Sequence, residues 1–433
     1  MPTFHIHGGQ VLRGTVELSG AKNAASKMMI ASLLTDEPVV IDNVPRQEET
    51  GITQEIVERV GSRVSWDDHQ AILHASSIAS TSVVGLSRKN RISILALAPL
   101  LHRAGEGIVP VVGGDKIGPR PVNFHVDILS RMGARFEEGA EGYRASVQGR
   151  LRGVLIELPY PSVGATETAM LAGVLAQGRT VIRNAAIEPE IIELVKMLQK
   201  MGAIIEVGLG REIEIVGVEH LGGCRARVIP DRIEAVSYAC MALGTRGEIF
   251  VKHAVHDHLI TFLNTVRRMG GAYEVQDDGI LFKTVNGLRG IEIETDTHPG
   301  FMTDWQQPLT VALTQATGTS VIHETVYEDR FGYTEVLREM GADITLFNNC
   351  LGEIPCRFRG MNCRHSAVIN GSRMLKAAHI EVPDIRAGLA FVIAALVADG
   401  TSVLSGIEHL DRGYERLEEK LRHLGVSIER KSD

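Results

Sequence analysis

The residue types best able to do chemistry in this chain gather in a few short segments. The densest is Pro110-Val111-Val112-Gly113-Gly114-Asp115-Lys116-Ile117-Gly118-Pro119-Arg120-Pro121. Its glycines allow backbone N–H groups to approach an anion, Lys116 and Arg120 add positive charge, and Asp115 is a titratable group within reach. Loops of this composition also serve as lids. A surface hairpin with solvated charges is the alternative. A Walker A loop is excluded, because no Gly-Lys-Ser/Thr completes the pattern.

A second segment is Leu18-Ser19-Gly20-Ala21-Lys22-Asn23-Ala24-Ala25, where Ser19 or Gly20 is expected to cap a helix running to about Leu34. Lys22 and Asn23 then fall in its first turn. A cation there opposes the helix dipole and makes sense where an anion binds; a tolerated surface lysine is the other reading. Arg88-Lys89-Asn90-Arg91 opens another helical pattern with the same logic. Arg330, Arg386 and Arg412 are expected in loops after strands, each beside an acidic neighbour that could simply pair with it. In a chain of net charge −8, cations converging in one place point to a small, highly anionic substrate.

Other chemistries are disfavoured. Cys350, Cys356, Cys363 and His365 lack the close-paired spacing of structural zinc sites, so no metal is expected. No Gly-x-Ser-x-Gly, His-Glu-x-x-His or dinucleotide fingerprint is present. The acidic balance of 53 Asp and Glu against 45 Lys and Arg argues against a nucleic-acid partner. The run Ile92–Leu101 is broken by Ser93 and Pro99 and is too short for a membrane span. Five cysteines and a start without a basic or apolar leader suit a cytoplasmic location.

The elements that must position these residues follow from repeats. Six times an amphipathic pattern ends in a small motif whose last residue is glycine: Gly61, Gly133, Gly202, Gly270, Gly341 and Gly425. Each suits a helix C′ position, which needs a left-handed backbone. About 25 residues upstream of each lies an apolar helical run followed by a β-branched strand, clearest at 171–182, 311–322 and 393–404. The period near 70 residues gives six β-α-β-α-β-β units of α/β (α+β) type. One unit cannot bury its own apolar faces; three make an ordinary domain, so two domains of three units are expected, with a solenoid as the rival. Val207-Gly208-Leu209-Gly210 reads as a turn between two strands.

The chain closely resembles the UDP-N-acetylglucosamine enolpyruvyl transferases (1-carboxyvinyltransferases). The likeness runs over essentially its whole length. It rests on Ser19 to Ala24, Gly113-Gly114 with Ile117 to Val122, Ser162 to Thr166, Pro230 to Glu234, Pro299 to Gln307, Glu324 to Phe331, Asp384 to Ala387 and Asp411 to Glu415. That resemblance implies a two-domain inside-out α/β barrel, residues 21–230 forming one domain and 1–20 with 231–433 the other, and an active site in the cleft between them. It implies transfer of the enolpyruvyl group of phosphoenolpyruvate to the 3-hydroxyl of UDP-N-acetylglucosamine, the first committed step of peptidoglycan precursor synthesis. No cofactor or membrane partner is implied, and a monomer is expected.

The resemblance also assigns roles. Lys22, Arg120 and Arg412 would bind phosphoenolpyruvate; Asn23, Asp304 and Val326 would hold the sugar nucleotide. Arg91, Arg120, Pro121, Val122, Asn123, Phe124, Pro161, Ser162, Val163 and Gly164 would surround its uridine and diphosphate, and Arg330, Asp384 and Arg386 would complete the site. Asp304 would be the hydroxyl base. Most of the family carries cysteine where this chain has Asp115, a minority aspartate. Asp115 would be the acid that protonates C3, and the missing thiol implies resistance to fosfomycin, which alkylates that cysteine. The sister enzyme acting on shikimate 3-phosphate and a non-catalytic sugar-nucleotide-binding homologue are the alternatives.

Overall fold

The computed structural model describes residues 2–87, 90–110, 122–139, 142–328, 330–354 and 356–432, with the backbone alone of Ile385 and Arg386. The loop segment 111–121, with Asp115, Lys116, Arg120 and Pro121, lies outside them. The described residues form two compact units: 20–229, and 2–19 with 230–432.

Two kinds of helix build each unit, and the sequence says which is which. Helices apolar all round must be buried. Arg232–Gly244, Gln306–Thr314 and Ile385–Val397 are of this kind and pack on one another at the centre of the 230–432 unit. In the other unit Lys22–Ala31, Leu97–Ala104 and Val163–Gly173 fill the same place. Amphipathic helices such as Pro189–Lys200 and Ile260–Arg268 bury one face only.

Six sheets carry the helices. Five have four strands and one has three among the described residues. The sheet order Ile204–Val207, Ile213–Val216, Arg179–Arg183, Leu155–Glu157 shows the shared plan, an antiparallel hairpin joined to a parallel pair. Its chain order with helices Val163–Gly173 and Pro189–Lys200 is the expected β-α-β-α-β-β. In the three-stranded sheet the first strand of the unit is reduced to a single parallel bridge, Ser82 to Ile108.

The six glycines of the repeated motif all have positive φ, from +85° at Gly270 to +109° at Gly61, as the helix C′ position demands.

Two strands are exchanged in chain order. Arg13–Glu17 pairs in parallel with Glu248–Lys252 and completes a sheet of the 230–432 unit. Arg225–Arg227 likewise pairs with Val40–Asp42 in the 20–229 unit. The chain passes between units at 19–20 and 229–230. Gly20 is required at the first passage, because a Cβ there would overlap the Asn43 carbonyl oxygen.

Candidate active site

In the 20–229 unit, Lys22 is the first residue of helix Lys22–Ala31 and is buried. The expected cap is corrected here: the N-cap is Ala21, with no side-chain cap. Ser19 serves elsewhere, its N–H donating to Glu234 Oε2 at 2.9 Å and its Oγ accepting from Lys420 Nζ at 2.8 Å. No acidic residue stands in the first turn of the helix, so its N-terminal charge and the Lys22 amine add. Asn23 beside it is half-buried.

Arg91, Val122 to Phe124 and Ser162 to Gly164 form one neighbourhood in this unit. Helix Asn123–Arg131 starts after Val122, and helix Val163–Gly173 after Ser162, whose Oγ accepts from Ala165 N at 3.4 Å. The two helices pack together. His125 sits between them, its Nδ1 2.7 Å from Thr168 Oγ1. Burial, with help from the Arg91 charge, pushes His125 down to about 3, so its imidazole is neutral at pH 7. A Cβ on Gly164 would lie 3.2 Å from the His125 ring, so glycine keeps that helix start close and open. Two helix N-termini beside an arginine make a region suited to an anionic ligand. Pro161 precedes the second of them.

Sequence reasoning missed Glu167. It lies in the otherwise apolar helix Val163–Gly173 with Oε1 4.0 Å from Lys27 Nζ. Burial, opposed by Lys27 and reinforced by Glu188 and Glu190, pushes its carboxyl up to about 7. The signal was there to read: one glutamate inside an apolar helical stripe.

In the 230–432 unit, Asp304 and Arg330 come together. Asp304 stands in the single 3-10 turn Thr303–Trp305, and Arg330 Nη2 is ion-paired with its Oδ1. Arg330 has an acid partner beyond its sequence neighbours, Asp304, which lies 26 positions away. Its side chain is 1% exposed and stacks 5.3 Å from the Tyr327 ring. Glu324 is fully buried nearby. It accepts from Thr303 Oγ1 at 2.8 Å, Val326 N at 2.8 Å and Tyr327 N at 3.0 Å. Burial raises its carboxyl, while Arg330 and these donors pull it back. Arg232 packs on Trp305, 5.5 Å from the ring, which fixes the turn that carries Asp304. Val326 has both backbone polar groups engaged within the chain, its N–H with Glu324 and its carbonyl with Arg357 Nη2. The carbonyl oxygen keeps a second lone pair.

Two further arginines are placed differently from the sequence reading. Arg386 lies in the first turn of helix Ile385–Val397 and Arg412 in the short helix Glu408–Gly413, neither in a loop. Asp384 caps the first of these, its Oδ1 accepting from Ala387 N at 3.0 Å. The acidic neighbour of Arg412, Asp411, pairs instead with Arg430 at 2.8 Å. Cys350, Cys356 and His365 come together with His323, which sequence spacing did not associate with them.

This fold and these cation-bearing segments match a known class. A model of the EPSP synthase (3-phosphoshikimate 1-carboxyvinyltransferase) family matches residues 6–421. The enolpyruvyl transferase NikO of Streptomyces tendae superposes with a TM-score of 0.87 at 24% identity, covering 100% of this chain and 99% of that one. The UDP-N-acetylglucosamine 1-carboxyvinyltransferase of Protochlamydia amoebophila is 47% identical over 99% of this chain and 94% of its own length. That of Chlamydia muridarum is 46% identical over 99% and 98%. The carboxyvinyltransferase fold is thus shared throughout. Within it, the chain belongs to the UDP-N-acetylglucosamine 1-carboxyvinyltransferase family and is a transferase.

Proposed function

We propose that this protein transfers the enolpyruvyl group of phosphoenolpyruvate to the 3-hydroxyl of UDP-N-acetylglucosamine and releases phosphate, as a step of peptidoglycan precursor synthesis in the cytoplasm. The observation that carries this reading is the full-length identity of 46–47% to proteins of that name. Among the described residues no helix is long and apolar enough to cross a membrane.

The chemistry divides into addition and elimination. The sugar oxygen bonds to C2 of phosphoenolpyruvate as its proton leaves and C3 gains a proton, giving a tetrahedral ketal. C3 then returns a proton, the C2–O bond to phosphate breaks, and phosphate departs. We assign Asp304 as the base for the hydroxyl. Its ion pair with Arg330 fixes the direction of the carboxylate. Lys22, Arg120 and Arg412 neutralise the phosphate and carboxylate of phosphoenolpyruvate. Asn23 and Val326 position the sugar, and the helix starts at Val122–Phe124 and Pro161–Gly164, with Arg91, take the uridine diphosphate. Arg330, Asp384 and Arg386 act as supporting residues.

Asp115 is assigned as the acid at C3. From a reference pKa of about 3.9 it must rise substantially to hold a proton near neutrality. Desolvation by a closed loop and the negative charge of the substrates push it up; Lys116 and Arg120 oppose. The test is phosphate release from phosphoenolpyruvate with UDP-N-acetylglucosamine, with shikimate 3-phosphate, and with no acceptor. Release with the sugar nucleotide alone supports the reading. Release with shikimate 3-phosphate alone would transfer it to the sister reaction, and sugar-nucleotide binding without release would leave a non-catalytic homologue.

A further inference from the structure

The hairpin between strands Asp343–Phe347 and Ser366–Asn370 is joined by residues 348–365, where the equivalent connections elsewhere are 68–69, 208–212 and 277–278. A connection of that length, with no helix or strand among its described residues, needs something to hold it. Four side chains supply a candidate. His323 ends strand Thr319–His323, His365 precedes strand Ser366–Asn370, and Cys350 and Cys356 come from the connection itself. One ligand atom from each lies within 4.8 Å of all the others. Ligands around a tetrahedral zinc stand about 3.3–3.8 Å apart, given metal bonds of about 2.0–2.3 Å. Cys350 Sγ and His365 Nε2 are already 3.4 Å apart.

Both imidazoles are oriented from behind. His365 Nδ1 is 3.0 Å from the Cys363 carbonyl oxygen, to which it donates, which turns Nε2 toward Cys350. His323 Nδ1 is 2.8 Å from Glu294 Oε2, leaving Nε2 as the free lone pair. That Nε2 is buried and has no hydrogen-bond partner, and the whole side chain is 0% exposed. An unpartnered buried nitrogen costs free energy unless something occupies its lone pair. A carboxylate behind a histidine is the usual way to set a metal ligand's tautomer. Glu294 also accepts from the N–H groups of Glu353 at 2.7 Å and Ile354 at 2.9 Å, which seats the connection on the sheet. Gly352 passes so close that a Cβ would overlap the Glu294 carboxylate and the His323 ring.

We propose that Cys350, Cys356, His323 and His365 bind one divalent zinc ion, a structural site that takes no part in the bond-making steps of the transfer reaction. Binding displaces the two thiol protons to solvent and gives a tetrahedral S₂N₂ centre with no net charge and no open position. The ion ties residues 348–365 to the sheet. The same connection carries Arg357, whose Nη2 donates to the Val326 carbonyl and lies 3.9 Å from Glu328. The segment around Val326 is therefore braced by the metal-held connection.

The test uses the full chain, purified under reducing conditions without chelator, with zinc measured by mass spectrometry. About one zinc per chain is expected, falling at least tenfold in Cys356→Ser and in His323→Gln and unchanged in Cys363→Ser. Chelated protein reloaded with cobalt(II) chloride should show the intense visible bands of a tetrahedral cobalt site and a thiolate-to-cobalt charge-transfer band. This spectrum needs no variant to fold. Wild-type protein that neither carries zinc nor gives the cobalt spectrum would overturn the proposal. So would loss of zinc in Cys363→Ser but not in Cys356→Ser.

Discussion

Replacing Arg330 with methionine keeps the length of the side chain and removes its charge, so it isolates the electrostatic part of the Asp304–Arg330–Glu324 cluster. Arg330 is 1% exposed and Asp304 11%, and Glu324 is fully buried, so water cannot substitute for the lost guanidinium. The guanidinium that pairs with Asp304 and offsets the burial of Glu324 is then gone. Removing one partner of a buried pair costs about 3–5 kcal/mol. For a unit of this size about 1 kcal/mol lowers Tm by about 2–4 °C, which predicts a fall of roughly 6–20 °C. The chain holds only two tryptophans, and Trp305 lies beside Asp304 while Trp66 belongs to the other unit. In a Trp66→Phe background, tryptophan fluorescence during urea unfolding therefore reports on the 230–432 unit alone. A double-mutant cycle with Asp304→Asn should show coupling of at least about 1 kcal/mol. A Tm change under 2 °C, or additive single effects, would refute the idea that this pair organises the site.

Acid should weaken the 20–229 unit through its buried histidines. His125 is held down to about 3 and His102 to about 4, the latter donating to the Ala172 carbonyl at 2.8 Å, so neither charges in the folded state while both charge in the unfolded chain below about 6.5. Stability is thus full above pH 6.5 and is lost as pH falls: about 2 kcal/mol per histidine between pH 7 and 5, read by Trp66 fluorescence, and a slope unchanged in His125→Asn would contradict it. Asp115→Asn should abolish phosphate release, and Asp115→Cys should make the enzyme open to time-dependent inactivation by fosfomycin. Full turnover of the first or continued resistance of the second would remove Asp115 from its assigned role. Gly352→Ala should lower both Tm and zinc content, because the added methyl must push Glu294 away from His323; unchanged values in both measurements would show that the crowding there is harmless.

What could be read from the sequence follows from how local the physics is. A helix C′ glycine answers to its own φ, so all six repeat ends were visible without tertiary information. Ser19-Gly20 looked like a cap because capping is local too. In fact the serine is taken by Glu234 and Lys420, more than two hundred residues away, and the glycine is there for the Asn43 carbonyl. Arg330 finds Asp304 across 26 positions, which no neighbour rule reveals. The cysteine and histidine cluster was set aside on spacing, since the decisive ligand, His323, comes from a strand before the hairpin.

The first strand of the chain, Thr3–His7, lies inside a sheet, with Thr401–Ser405 on one side and Ser427–Lys431 on the other. On a ribosome adding about 5–20 residues per second, that strand waits roughly 20–85 s for its last partner. Arg13–Glu17 waits for Glu248–Lys252 as well. The 20–229 unit needs nothing made after residue 229 and can fold during synthesis. The other unit closes only once Ser427–Lys431 has been made, leaving Thr3–His7 without its last partner until then. Chaperone dependence, and sensitivity to anything fused ahead of residue 3, should concentrate on that late-closing half.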